Sequence, residues 1–240
     1  MRRLLILCLL VGCASAMTWS PHLQGYWPFE GTRLDASGNG RTAYGVNTVY
    51  GTGVFGQCDT FNGTTAYDTI RDADSLSFTT GGGNDKPFTI TFWLRMDTML
   101  QTYCVAKRDG VVAEWAVAAH SEGDLYVLLH SEGIVTPYMG AKTAGTIPKG
   151  TRVHCAVTYD GSKQTSGIHG YLNAVAQAMT PITSAGTYVG MSNTTAKVYL
   201  GTLYANAYYL TGTEDEVAIW SRALSERDIR RVMMGMSPIE

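Results

Sequence analysis

Phe88-Thr-Ile-Thr-Phe-Trp-Leu-Arg95 is the stretch that decides the fold class. Its apolar residues fall at every second position. Phe88, Ile90, Phe92 and Leu94 share one face, and Thr89, Thr91, Trp93 and Arg95 share the other. Period two belongs to a β-strand with one face in a core, and threonine and aromatic residues favour that state. The pattern recurs in Val153-His-Cys-Ala-Val-Thr-Tyr159 and in Leu125-Tyr-Val-Leu-Leu-His130. Between such runs stand Asp35-Ala-Ser-Gly-Asn-Gly40, Gly81-Gly-Gly-Asn-Asp85, Ser121-Glu-Gly-Asp124 and Asp160-Gly161, all of them turn chemistry. Short alternating strands separated by such turns predict two stacked antiparallel sheets.

Composition agrees with that reading. Of 240 residues, 45% are hydrophobic and 16% charged, against about 25% charged in an ordinary domain. With 27 glycines and many threonines, the chain is poor in helix formers, which excludes a helical bundle or a coiled coil. A formal net charge of −2 excludes nucleic-acid binding driven by net basic charge. No Pro/Ser-rich linker divides the chain, so residues 17–240 read as one domain. One helix is signalled near the end. Ser225 stands as N-cap with Asp228 three residues on, Leu224 and Ile229 take the staple positions, and Ile229, Val232 and Met233 form an apolar stripe.

Residues 1–16, MRRLLILCLLVGCASA, read as an export signal. Arg2 and Arg3 precede a short apolar run, and Ala14-Ser15-Ala16 fits a small-x-small cleavage site. The run is shorter than the roughly 20 residues a membrane span needs, and no later stretch is long and apolar enough to cross a bilayer. Two outcomes stay open. One is secretion after cleavage at Ala16. The other is lipidation at Cys13, since Leu10-Val11-Gly12-Cys13 resembles a bacterial lipobox. Cys58, Cys104 and Cys155 remain after cleavage. They read as buried small hydrophobes, with one bridge permissible in an oxidising compartment. Asn62-Gly-Thr64 and Asn193-Thr-Thr195 match the glycosylation sequon, relevant only to a eukaryotic secretory route.

Five segments in order resemble the laminin G-like, concanavalin A-like lectin/glucanase jelly rolls. They are Gly25-Tyr-Trp-Pro-Phe-Glu30 with Leu34-Asp-Ala-Ser-Gly-Asn-Gly40, then Gly53-Val-Phe-Gly56 with Phe61-Asn-Gly-Thr64, Pro87–Trp93, His154–Gly161, and Asp215–Leu224. Arg152 and Ala174 depart from the pattern, standing where the family usually has Trp and Gly. The resemblance implies an all-β, two-sheet antiparallel jelly-roll sandwich with a short C-terminal helix. It also implies one structural Ca²⁺, with Asp215, Glu30 and the Asn62-Gly63 turn as candidate ligands, because calcium accepts carboxylates and carbonyls in irregular geometry.

A glycan site needs an aromatic platform and planar polar groups. Alternation turns Trp93, Arg95, Tyr126, His130 and His154 away from the expected core, and Tyr171 in the YLNA strand joins them. On one sheet these would form a strip suited to sugar stacking. The competing reading has Trp93 and His154 as packing residues under a loop. Lys107-Arg-Asp-Gly110 reads as a polar turn that either rims such a face or is an ordinary solvated hairpin. Tyr204, Tyr208 and Tyr209 beside Asn206 form a second cluster, with edge-strand packing as the alternative. The glucanases of this architecture carry a Glu–Asp–Glu ladder on one strand. The nearest approach here, Glu214-Asp215-Glu216, falls on the closing strand and reads as solvated carboxylates. No GxSxG, HExxH or P-loop occurs. The expectation is an exported, non-catalytic, carbohydrate-binding module. The alternative is a structural or adhesion protein of a cell surface, matrix or virion whose partner is protein.

Overall fold

The computed structural model describes residues 20–205 and 207–238. The export signal with Cys13, and Asn206, lie outside the described residues. Strands follow in chain order as β1 (Leu23–Trp27), β2 (Ala43–Val46), β3 (Val49–Thr52), β4 (Gln57–Asn62), β5 (Tyr67–Ile70), β6 (Phe88–Met96), β7 (Thr102–Asp109) and β8 (Val112–Ala119). They continue as β9 (Asp124–His130), β10 (Tyr138–Thr146), β11 (Arg152–Tyr159), β12 (Ile168–Leu172), β13 (Val175–Ala176), β14 (Met179–Thr183), β15 (Val198–Leu200) and β16 (Thr211–Trp220). One α-helix, α1 (Glu226–Met233), follows.

The strands form two antiparallel sheets. Sheet one runs β13-β12-β11-β6-β16-β4-β3, with β1 also on β16. Sheet two runs β14-β10-β9-β8-β7-β15-β5-β2. The alternation in β6 has its expected consequence. Phe88, Ile90, Phe92 and Leu94 face inward and meet Trp115, Val117, Leu125, Val127 and Leu129 of sheet two in one core. Phe78 stacks on Phe88 at 4.4 Å, and the buried Trp115 indole donates to the Leu76 carbonyl at 2.9 Å, so its polar edge is satisfied. Cys58, Cys104 and Cys155 are buried and free.

The landmark turns act as hydrogen-bond organisers. Asp35 accepts from the backbone N–H groups of Tyr26, Ser37 and Arg41, tying its turn to β1. Helix α1 starts where expected. Ser225 accepts from the Asp228 N–H, and Leu224 and Ile229 are buried against Ala156, Ala218 and Trp220 on the outer face of sheet one.

Strand β16 is the keystone. It pairs with β6 along one edge, and along the other with β4 at its first half and β1 at its second. A β-bulge interrupts it. Asp215 lies opposite Trp93 and Ala218 opposite Thr91, leaving one extra residue, and Glu216 there takes a left-handed φ of 53°. The three neighbouring carboxylates therefore point to different places, and the expectation of solvated side chains fails. Glu214, opposite Leu94, is fully buried between the sheets. Asp215 is 1% exposed on the outer face, and Glu216 is half-buried.

Candidate binding groove

The sequence-derived aromatic strip divides between the two sheets. Trp93, Arg95, His154 and Tyr171 belong to sheet one, while Tyr126 and His130 belong to sheet two. On sheet one the outer face is partly covered by α1. Trp93 meets His154 edge-on at 5.3 Å, and His154 is buried, its imidazole pushed down to about 3 by desolvation. Tyr171 packs at the border of the patch that seats α1. Arg95 pairs with Asp97 at 2.8 Å. On this face Trp93 and His154 pack on each other, Tyr171 borders the α1 patch and Arg95 stays partly exposed.

On sheet two the outer face is open. Tyr126 and Leu128 of β9 flank a small apolar floor of Tyr103, Ala106, Ala116, Ala118 and Leu203. Above it lies a groove of about 420 Å³ lined by Gln101, Tyr103, Arg108, His120, Tyr126 and Leu128, and closed at its far side by His130, Val135, Tyr138, Ile182 and Thr183. His120 lies 5.2 Å from the Tyr126 ring, and Lys142 reaches over the same ring at 5.5 Å. Tyr138 sits edge-on to His130. His130 Nδ1 is 2.9 Å from the Val135 carbonyl, which makes that nitrogen the donor. Its Nε2 is then an acceptor, buried and without a protein partner among the described residues. Burial is the main force holding this imidazole neutral, down to about 4, and Arg108 adds to it.

The two secondary clusters resolve differently. Strand β7 runs through Asp109, so Lys107 is no turn residue. It is fully buried against Asp72 at 2.5 Å and Glu114 at 3.1 Å, and only Arg108 lines the groove. Tyr204 lies under Arg108 beside the apolar floor, and Tyr208 packs on Tyr103 at 5.7 Å, which places this loop at the groove's border. Tyr209 turns away toward Tyr67.

The candidate metal ligands separate as well. Asp215 Oδ2 accepts from the Val54 N–H at 2.7 Å, and Glu30 accepts from the Gln57 N–H. The turn between β3 and β4 is thus pinned between two carboxylates. Glycine is needed there: a Cβ on Gly53 would lie 2.6 Å from Asp215 Oδ2, and one on Gly56 would strike the Glu30 carboxylate. Asp215 Oδ1 is buried without a partner. Burial, countered by backbone N–H donors, leaves Asp215 raised to about 6, and burial raises Glu216 to about 7 beside the Tyr26 hydroxyl. None of Glu30, Asp215 and Glu216 joins an ion pair among the described residues. Asn62 and Gly63 do not reach this place. Asn62 pairs with Thr211, four residues along β16 from Asp215, and its Oδ1 caps the N–H groups of Thr64, Thr65 and Ala66.

A family model described as the concanavalin A-like lectin/glucanases superfamily matches residues 61–230. The chain belongs to this superfamily. No curated protein matches it in sequence. Solved structures match it at low identity. The binding domain of Paraclostridial Mosquitocidal Protein 1 is 16% identical at a TM-score of 0.67, over 88% of this chain and 52% of that one. Domain 4 of AbnA, an extracellular arabinanase of Geobacillus stearothermophilus in complex with arabinotriose, is 17% identical at 0.64, over 88% and 98%. The binding domain of botulinum neurotoxin serotype D is 11% identical at 0.66, over 92% and 53%. The chain spans about half the length of the toxin binding domains it matches. At such identities the likeness is one of fold.

One feature of this superfamily member was hidden in the sequence. Arg33 enters between the sheets and binds Asp59 at 2.8 Å and Asp68 at 3.1 Å, with Tyr50 and Thr48 as further partners. Glu214 is the third carboxylate of this buried group. Burial, and then the charges of Asp68 and Asp59, push it well above the usual range. Asp59 and Asp68 share the guanidinium and Glu214 is buried near them, so burial and mutual repulsion favour protonated carboxyls in this group. Residues 33, 59, 68 and 214 have no spacing that would have announced it.

Proposed function

We propose that the chain is an exported, non-catalytic module that binds carbohydrate in the groove on sheet two. The supporting observation is His130 Nε2, a buried acceptor without a partner on the wall of an aromatic groove. A sugar hydroxyl can satisfy it while an apolar sugar face rests on Tyr126 or Tyr103. No carboxylate lines the groove, so the acid pair a glycosidase needs has no residues there. The arabinotriose complex of the arabinanase domain is consistent with saccharide binding on this fold. Among the described residues no helix is long and apolar enough to cross a membrane. The N-terminal signal then supplies export, with Cys13 as the site of a lipid anchor if the lipobox is used.

A glycan array followed by calorimetry tests this reading. Tyr126→Ala is expected to weaken the best saccharide at least tenfold. Trp93→Ala, on the outer face of sheet one against His154, should leave that affinity within twofold while lowering the melting temperature. Unchanged affinity in Tyr126→Ala would remove the groove as the site.

The adhesion reading keeps one observation in its favour. Tyr44, Val46 and Val49, on edge strands β2 and β3, are 50%, 36% and 63% exposed, and a paired edge of this kind suits a protein partner. Glycan silence together with concentration-dependent self-association would favour it.

We further propose that Ca²⁺ binds between Glu30 and Asp215. The residues fit. They are two carboxylates in no ion pair among the described residues, one with an orphaned buried oxygen, on either side of one glycine-bearing turn. Asn62 and Gly63 have no part in it. The ion would neutralise charge and hold the β3–β4 turn onto β16.

A further inference from the structure

The groove carries one formal charge that nothing in the protein answers. Arg108 Nε donates to the Gly110 carbonyl at 3.3 Å, and its guanidinium lies 6.0 Å over the Tyr204 ring. No carboxylate pairs with it among the described residues, although eight ion pairs are formed elsewhere. The acids around it are committed to other partners. Glu114 and Asp72 hold Lys107, Asp124 holds Lys142 at 2.8 Å, and Asp109 hydrogen-bonds Tyr199.

Period-two alternation on β7 explains the contrast between neighbours. Lys107 goes into the protein, and Arg108 comes out over the groove. What lines the groove is therefore one guanidinium, three tyrosine rings, two imidazoles, one of them with an unpartnered acceptor nitrogen, and no acid. A neutral sugar would leave the guanidinium unanswered. A carboxylate fits its forked donors with two parallel hydrogen bonds.

We infer that the groove selects saccharides bearing a carboxylate, uronate or sialate in type, with Arg108 as the carboxylate anchor and the tyrosines as the stacking platform. The inference rests on the saccharide reading of this groove and adds its charge. In recognition of this kind, the anchor supplies discrimination and the rings supply sequence-tolerant affinity.

Matched probes test it on the unaltered protein. The mature chain is titrated with tri-galacturonate and its methyl ester, and with sialyllactose and lactose, at low and high salt. The acid form of at least one pair is expected to bind tenfold or more tightly than its neutral counterpart, and salt should narrow that margin. Arg108→Gln should bring acid and neutral forms to within about twofold of each other. Which pair responds separates uronate from sialate. Equal affinity for acid and neutral forms, with Tyr126→Ala still weakening both, overturns the inference and leaves the saccharide reading standing. Failure of both acid probes to bind also overturns it, and the array result then decides the saccharide reading by itself. The ester comparison needs no variant, so a misfolded Arg108→Gln does not shelter the idea.

Discussion

Asp68 is the residue through which this protein should feel alkaline pH. Burial and the hydrogen bond with Asp59 raise it to about 8, against Arg33 and Thr48, which lower it. An unfolded aspartate titrates near 3.9. Between about pH 4 and 8 the folded chain keeps a proton that the unfolded chain releases, so the contribution to stability is full below that range and is lost as pH rises through it. Two histidines act in the opposite sense below about pH 6.5. His130 and His154 stay neutral when folded, down to about 4 and about 3, and must charge on unfolding. The carboxylate is therefore best seen between pH 6.5 and 8.5. Urea melts in that window should show falling stability for the wild type and a flatter profile for Asp68→Asn. Glu216 also titrates there, but it is common to both proteins and cancels. Parallel profiles would place the proton elsewhere than on Asp68. The same residue marks a limit of reading from sequence. Asp68 alternates with Tyr67 and Thr69 on an ordinary short strand, and only the arrival of Arg33 from a distant loop gives it a role.

At the scale of single elements the sequence was most readable where a local rule carries the whole decision. The β6 alternation set its inner and outer faces, and the Ser225 and Leu224–Ile229 signals placed α1, because capping and staple contacts are made within a few residues. Ser225→Ala should cost about 1 kcal/mol, measured by chemical denaturation. No loss at all would mean that the helix is held by Ile229 and its neighbours alone. Elements governed by non-local pairing were less readable. Strand β16 looked like a row of solvated acids, since nothing in Glu214-Asp215-Glu216 reveals a bulge that sends one inward and one outward. Ala174 departs from the family's glycine and still takes a left-handed φ of 59° behind Asn173, so this hairpin tolerates the departure.

For the whole molecule, the sequence assigned the sandwich but not which strands share a sheet. Five landmarks in order are a statement about fold, whereas sheet membership depends on crossovers between distant segments. Tyr126 and His130 alternate away from the core and line the groove on sheet two. Trp93 and His154 alternate outward as well, but on sheet one, where they pack edge-on against each other. The clamp at Asp215 is likewise a property of the whole. If Ca²⁺ sits there, chelator should lower the melting temperature of the wild type and leave Asp215→Asn unmoved. Identical midpoints with and without chelator in the wild type would remove the ion. The position of β16 has a further consequence. It is the last strand of the described chain, yet β1, β4 and β6 all depend on it for partners. During synthesis from the N-terminus, the first sheet has a vacant slot until β16 has emerged. Its central hydrogen bonds therefore form late, as in other sheets of high contact order. A chain caught before that moment leaves β1 with no partner and one edge each of β4 and β6 open, a sticky intermediate in place of a finished surface.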